Sequence, residues 1–361
     1  MKYGMLLFLL LPIAGQVYAS WRVWHILPAP TWVKVIAVAL MTLALACLVL
    51  NFILHSENLP LWLSQCIYEI GTSWPIILLY MVMPFIVLDL GRLLHIINSS
   101  FVINSVSGTV AVAALLIAIF TYGNIHYHNK VRQPLTLASN GKLSKPIKVV
   151  MMSDLHLGFH NRRADFAKWV DMINAENPDL ILIAGDIVDI NVDPLLRENV
   201  ASEWQRLNAP VYACIGNHEY FAQEEKARQF ISAAGISLLK DSTAVVGNLC
   251  IIGRDDATNR RRMPLNSLIE KADMGKYTIL LDHQPHHLEQ AEKAGIDFQF
   301  SGHTHHGQVW PISWITERMY EVAHGQWQRG NTRYYISSGI GIWGGKFRIG
   351  TRSEYVVATI E

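Results

Sequence analysis

Five short stretches of this chain place oxygen and imidazole donors directly after apolar, β-branched runs. Asp154 and His156 follow residues 147–152, Asp186 and Asp189 follow 180–184, and Asn217 and His218 follow 211–215. His283 comes after 278–281, and His303 and His305 come after 297–300. Each motif alone is ordinary. An Asp after a strand is commonly a helix cap, and Gly-Asn-His-Glu by itself reads as a turn. His303 and His305 are a stronger sign, because imidazoles two apart at an extended strand end point the same way. In chain order, Asp154, His156, Asp186, Asn217, His283, His303 and His305 are carboxylate, amide and imidazole donors with no thiolate among them. Such a set suits a pair of first-row divalent ions such as manganese, iron or zinc. Coincidence at five successive strand ends is implausible.

The elements that must hold these residues alternate. Residues 163–175 and 193–207 have helical length and spacing, and Pro178 and Pro210 close them before the next strand. Near-continuous apolar runs at 147–152, 180–184 and 211–215 are typical of strands buried on both faces of a sheet. Strands at 334–337 and 354–360 follow without helices between them. This order predicts an α/β domain, a mixed sheet sandwich with helices outside, over 147–361. Ligand sites of such sheets assemble at the carboxyl ends of the strands, where all of these donors lie.

Charge divides the chain in two. Residues 1–125 hold seven charged side chains of the 59 in the protein. Four apolar stretches, 3–19, 31–54, 74–90 and 101–121, approach the length needed to cross a bilayer, with Trp and Tyr at their ends. Residues 1–125 therefore read as a membrane domain of about four transmembrane helices. The first stretch reads as a retained helix, with signal-peptide cleavage after Ala19 as the alternative. Residues 126–146, with Pro134, Asn140-Gly141 and Pro146, read as a connector carrying an edge strand at 134–138. Segment 55–73 has no Lys or Arg, while Arg22 and Arg92 are assigned to loops on the opposite side. That asymmetry predicts a multi-pass cell-membrane protein with its second domain outside the cytoplasm. A net charge of +1 without basic runs excludes nucleic acid as the main partner, and four cysteines without CxxC spacing exclude a disulfide scaffold. The oligomeric state is left open.

The wording DLHLG, GDIVD, GNHEYF, DHQP and GHTHHGQ resembles the calcineurin-like metallophosphoesterase superfamily, in particular its membrane-anchored branch of transmembrane proteins with a metallophosphoesterase domain. The resemblance covers 147–361 and implies a four-layer αββα sandwich following the all-α membrane bundle. It assigns Asp154, His156 and His305 to one metal, Asn217, His283 and His303 to the other, and Asp186 to both. His218 would act beside the metals as the catalytic residue, oriented by Asp189. Two divalent ions, manganese first, would then support attack of a bridging hydroxide on a phosphoester, expected to be a phosphodiester and possible in lipid-linked form. The family also contains pyrophosphatases of UDP-2,3-diacylglucosamine in lipid A synthesis, an alternative that needs a cytoplasmic site. A catalytically silent membrane scaffold is the second alternative. His306 departs from the branch, which more usually has Gly there, and would crowd the rim or touch substrate. His160, Arg163, Arg254 and Arg348 are candidate phosphate contacts, and residues 310–315 are expected to approach the membrane.

Overall fold

A computed structural model describes residues 2–54 and 58–361, with only the backbone described for 2–10 and Phe52. The chain forms two compact units, Met1–Gly123 with Gly344–Lys346, and Asn124–Trp343 with Phe347–Glu361.

The first unit is helical. Its long helices span Lys2–Ile26, Thr31–Ile53, Leu61–Leu93 and Val106–His128, with a short one at Ser99–Val102. Among the described residues, three stretches are long and apolar enough to cross a membrane: Thr31–Asn51, Leu61–Leu93 and Val106–His128. The first helix runs without a break past Ala19, which packs against Met41, Trp74 and Leu78. Arg22 is not a loop residue as expected. It lies inside that helix, 1% exposed, with Nε 3.3 Å from Asp89, which also accepts a 2.6 Å hydrogen bond from the Tyr18 hydroxyl. Arg92 likewise belongs to a helix. Both cations sit within helices because an apolar helix tolerates a charge that is paired or placed near its end.

The second unit holds twelve strands: β1 Val131–Leu137, β2 Ile147–Met152, β3 Leu180–Ala184, β4 Val211–Cys214, β5 Ser237–Leu238, β6 Ser242–Val246, β7 Leu249–Gly253, β8 Tyr277–Leu281, β9 Phe298–Ser301, β10 Gly325–Arg329, β11 Thr332–Ile336 and β12 Glu354–Ile360. They form two six-stranded mixed sheets, ordered β1-β12-β2-β3-β4-β5 and β10-β11-β9-β8-β7-β6. Strand alternation builds the layers. Val150, Met152, Ile181 and Ile183 face the helix Arg163–Ala175 through Phe166, Val170 and Ile173. Their neighbours Val149, Met151, Leu180 and Leu182 turn the other way and meet Ile251, Ile279, Phe298 and Phe300 of the second sheet. Cys250, Ile252, Leu280 and Tyr334 then pack outward on Leu265, Leu268 and Leu288. The result is the expected αββα sandwich, each fully buried apolar side chain contributing roughly 1.5–3 kcal/mol.

The connector is more ordered than expected. Two residues separate the helix ending at His128 from β1, which pairs in parallel with β12, so the edge strand covers Val131–Leu137 rather than 134–138. The expected helix over 193–207 is two short ones, Asp193–Arg197 and Ala201–Trp204. Asn199 takes a left-handed φ of 50°, and Val200 and Asn199 return their N–H groups to Leu195 and Leu196. That is a helix-ending turn that Asn tolerates.

Candidate metal centre

Register brings the functional strand ends level. Met152 pairs with Ile183 and Ile183 with Ala213, while Leu281 pairs with Phe300 in the other sheet. The chain leaves these ends in left-handed backbone at Asp154 (φ 54°), His156 (45°), Asp186 (53°), His303 (70°) and His305 (48°). Such conformations cost on the order of 1–3 kcal/mol each and persist only when the surroundings hold them. They are held here. Asp154 N–H donates to Gly185 O and His156 N–H to Asp186 O, at 3.1 and 3.0 Å. Space is equally constrained: a Cβ on Gly216 would stand 2.2 Å from Asp186 Oδ1, and one on Gly302 would stand 2.3 Å from Asp154 Oδ2.

Two donor clusters result. In the first, Nε2 of His156 and Nε2 of His305 face each other at 3.0 Å, with Asp154 Oδ1 3.4 Å from His305. In the second, Asn217 Oδ1 lies 3.1 Å from His283 Nε2 and 2.8 Å from His303 Nδ1. Asp186 Oδ2 reaches both, 3.6 Å from His156 Nε2 and 3.1 Å from His283 Nε2. The donor chemistry fits cations. His283 Nδ1 donates to Ala184 O at 2.7 Å, which leaves its Nε2 facing Asn217 Oδ1 and Asp186 Oδ2, where a bound cation would take the place of the ring proton. The oxygens of Asp186 and Asn217 call for positive charge at this point, supplied by the His283 ring proton or by an ion.

His218 and Asp189 form a different kind of group. Asp189 Oδ1 lies 3.1 Å from His218 Nδ1 and 3.4 Å from His156 Nδ1. Here two ring nitrogens share one carboxylate oxygen at ion-pair distance. The structure thus gives Asp189 a second neighbour, His156, beyond the one expected.

Burial and charge set the protonation of the cluster. Burial, then the positive field of His283, pushes His303 down to about 3, and burial followed by His156 drives His305 well below its ordinary range. Both rings are neutral and free to donate lone pairs. Burial works against charge on His218, yet Asp186 and Asp189 lift it to about 9. Burial opposes ionisation of Asp186 too, but the imidazoles of His283 and His218 hold it well below the carboxylate range.

Three supporting residues escaped the sequence reading. Glu219 is fully buried, and its carboxylate accepts from the N–H of Asp186, Val188 and Gly216 at 3.1, 2.9 and 2.8 Å. Its only signal was its place in the GNHE motif. Asn161 Nδ2 donates to Leu155 O and His156 O at 2.9 and 3.1 Å. Glu354, at the start of β12, gathers Ser338 N–H, the Tyr335 hydroxyl and His324.

The candidate phosphate contacts fare differently. Arg348 is fully buried and donates to the carbonyls of His305 and Gly341, so it shapes the loop instead of reaching substrate. Arg254 is buried against Asp282 at 2.9 Å, Arg163 pairs with Glu203 at 2.8 Å, and His160 is 2% exposed. His306 turns to Glu317 at 2.9 Å and stacks on His324 with ring centroids 4.7 Å apart.

Residues 147–307 match a family model described as calcineurin-like phosphoesterase. The chain is 30% identical over 220 residues to an uncharacterized metallophosphoesterase of Helicobacter pylori, covering 59% of each protein. It is 34% identical over 227 residues to the transmembrane protein with metallophosphoesterase domain of Danio rerio, covering 58% of this chain and 52% of that one. A metallophosphoesterase of Aquifex aeolicus is 31% identical over 227 residues, covering 60% of this chain and 85% of the relative. The chain thus spans a little over half the length of the Helicobacter and Danio relatives. Three apolar helices and a relative named as transmembrane make it a membrane protein.

Proposed function

Because this chain belongs to the calcineurin-like metallophosphoesterase family, we propose that it is a membrane-anchored, dinuclear metal-dependent phosphoester hydrolase acting on phosphodiesters. The observation that carries this reading is Asp186 Oδ2, which stands between His156 of one cluster and His283 of the other. Asp154, His156 and His305 would hold one ion, Asn217, His283 and His303 the second, and Asp186 both. Bound divalent ions, manganese in our reading, would supply Lewis acidity toward phosphoryl oxygen and lower the pKa of water. The two carboxylates Asp154 and Asp186 only partly offset two divalent charges, which leaves the site attractive to a phosphate. Asp189 holds the Nδ1 side of His218, so the opposite ring nitrogen is the one that can give a proton to a leaving oxygen.

Purified protein is expected to hydrolyse bis-p-nitrophenyl phosphate with manganese. Asp186→Asn should lose metal and activity together. His218→Ala should keep its metals and lose about 10²–10⁴-fold in rate, the usual contribution of a general acid. Equal metal loss in both variants would make His218 a ligand. A metal-replete protein inactive on every phosphoester would leave the scaffold reading.

In the same reading the chain is multi-pass with its catalytic unit outside the cytoplasm. Support comes from residues 54–60, between two membrane helices, which contain no Lys or Arg. Ser144 is exposed and suits a cysteine reporter once the exposed Cys66 is replaced by Ser. Labelling of Ser144→Cys by an impermeant maleimide in intact cells is expected. Protection would place the unit inside and favour the UDP-2,3-diacylglucosamine pyrophosphatase alternative.

A further inference from the structure

The loop that carries His303 and His305 runs straight into the helix Ile312–Met319. The two are tightly joined. A Cβ on Gly307, at φ 68°, would stand 2.5 Å from Ser313 N, and His306 meets Glu317 at 2.9 Å. At the far end, the Tyr320 ring lies 6.3 Å from the His303 ring. This helix is built inside out for water. Its buried positions are Ser313 and Thr316, while Ile312, Trp314, Ile315 and Met319 are 39%, 59%, 57% and 70% exposed. Trp310, 37% exposed, sets its ring edge-on to Trp314 at 5.4 Å and widens the apolar face. An ordinary surface helix buries its apolar stripe and exposes its polar one. The other large exposed apolar residues of the unit beyond its membrane helix, Leu196, Phe221, Val245 and Trp343, come one at a time along the chain. A grouped face of this kind marks an interaction surface.

Chain length argues for its occupant. Only Asn129 and Lys130 lie between the apolar helix Val106–His128 and β1, and two extended residues reach about 7 Å. Little slack therefore separates the membrane helix from the first strand of the second unit. Two tryptophans with isoleucine and methionine, flanked by exposed Arg318, have the composition of a segment lying at the headgroup–acyl boundary. We propose that the face of Trp310, Ile312, Trp314, Ile315 and Met319 docks on the lipid surface of the membrane that anchors the chain. Resting on the hydrolase reading, the consequence is that the adjoining metal centre takes phosphoesters of amphipathic molecules held in that surface.

The test uses the full chain in vesicles of phosphatidylcholine and phosphatidylglycerol. A Cys66→Ser, Met319→Cys variant carries an NBD fluorophore, the remaining cysteines being buried. Blue-shifted NBD emission, quenched by doxyl-phosphatidylcholine, is expected at 319, with water-like emission from the same label at Val245→Cys. Water-like, unquenched emission at 319 overturns the proposal, and so does a blue shift that depends on protein density, which would point to a second copy. Trp314→Glu with Ile315→Glu should lower hydrolysis of p-nitrophenyl phosphatidate in vesicles by about tenfold or more, the worth of burying one apolar side chain. An equal loss on bis-p-nitrophenyl phosphate in solution would show that the helix serves the site's integrity, against the proposal. The fluorescence readout stands whether or not the protein hydrolyses either ester, so failure of the hydrolase reading is seen separately.

Discussion

Glu219→Gln isolates what the buried carboxylate does for the metal centre. In the native site Oε2 accepts from Asp186 N–H and Gly216 N–H, and Oε1 accepts from Val188 N–H. Glutamine keeps the volume but has one acceptor oxygen. The best arrangement points that oxygen at Asp186 and Gly216 and turns the amide NH₂ toward the Val188 N–H, donor against donor. One charge-assisted hydrogen bond is lost and one buried N–H is stranded, a cost of about 2–4 kcal/mol. The loop in question carries Asp186, so the cost falls on the arrangement that binds metal. At 1.4 kcal/mol per tenfold, the apparent metal affinity should fall by roughly 30- to 1,000-fold. Glu219→Ala strands all three N–H groups and should fall further. Chelator competition followed by elemental analysis of desalted protein measures both variants. Unchanged affinity in Glu219→Gln, or a larger loss in Gln than in Ala, would refute the reasoning.

Two other expectations rest on the same frame. Gly302→Ala places a methyl 2.3 Å from Asp154 Oδ2 and should displace that carboxylate; on the proposed ligand assignment the purified variant should lack about one equivalent of metal while keeping its far-ultraviolet circular dichroism. Burial pushes the Glu354 carboxyl up, but His324 and the Ser338 N–H more than compensate and hold it below its ordinary 4.5. A lowered folded pKa means stabilisation present above the unfolded value and lost as pH falls through the folded one. Glu354→Gln should therefore be less stable than the native chain by about 2–4 kcal/mol at pH 7, and the gap should close below pH 4.5, as read by near-ultraviolet thermal melts in detergent.

The donors themselves were legible because each sits beside a local signal: an apolar β-branched run that stops, followed by a polar group. β2, β3 and β12 have the boundaries read from their runs, as does the helix Arg163–Ala175, whose spacing is local. The apolar first third was equally plain, since membrane helices announce themselves by composition. Tertiary structure decided what composition and period leave undefined. His156 meets His305 across 149 residues, and Asp186 stands between two clusters that each draw donors from both sheets. The left-handed turns at Asp154, Asp186 and His305 are held by the Gly185 carbonyl, the Glu219 carboxylate and the Arg348 guanidinium, groups from distant segments. Arg348, a candidate phosphate contact by sequence, and Glu219 are enclosed by packing among backbone groups that need partners. Which face of Ile312–Met319 is buried was settled the same way, by the loop it packs on. Local sequence sets where strands start and stop; the long-range contacts that close two sheets on each other determine which atoms then meet.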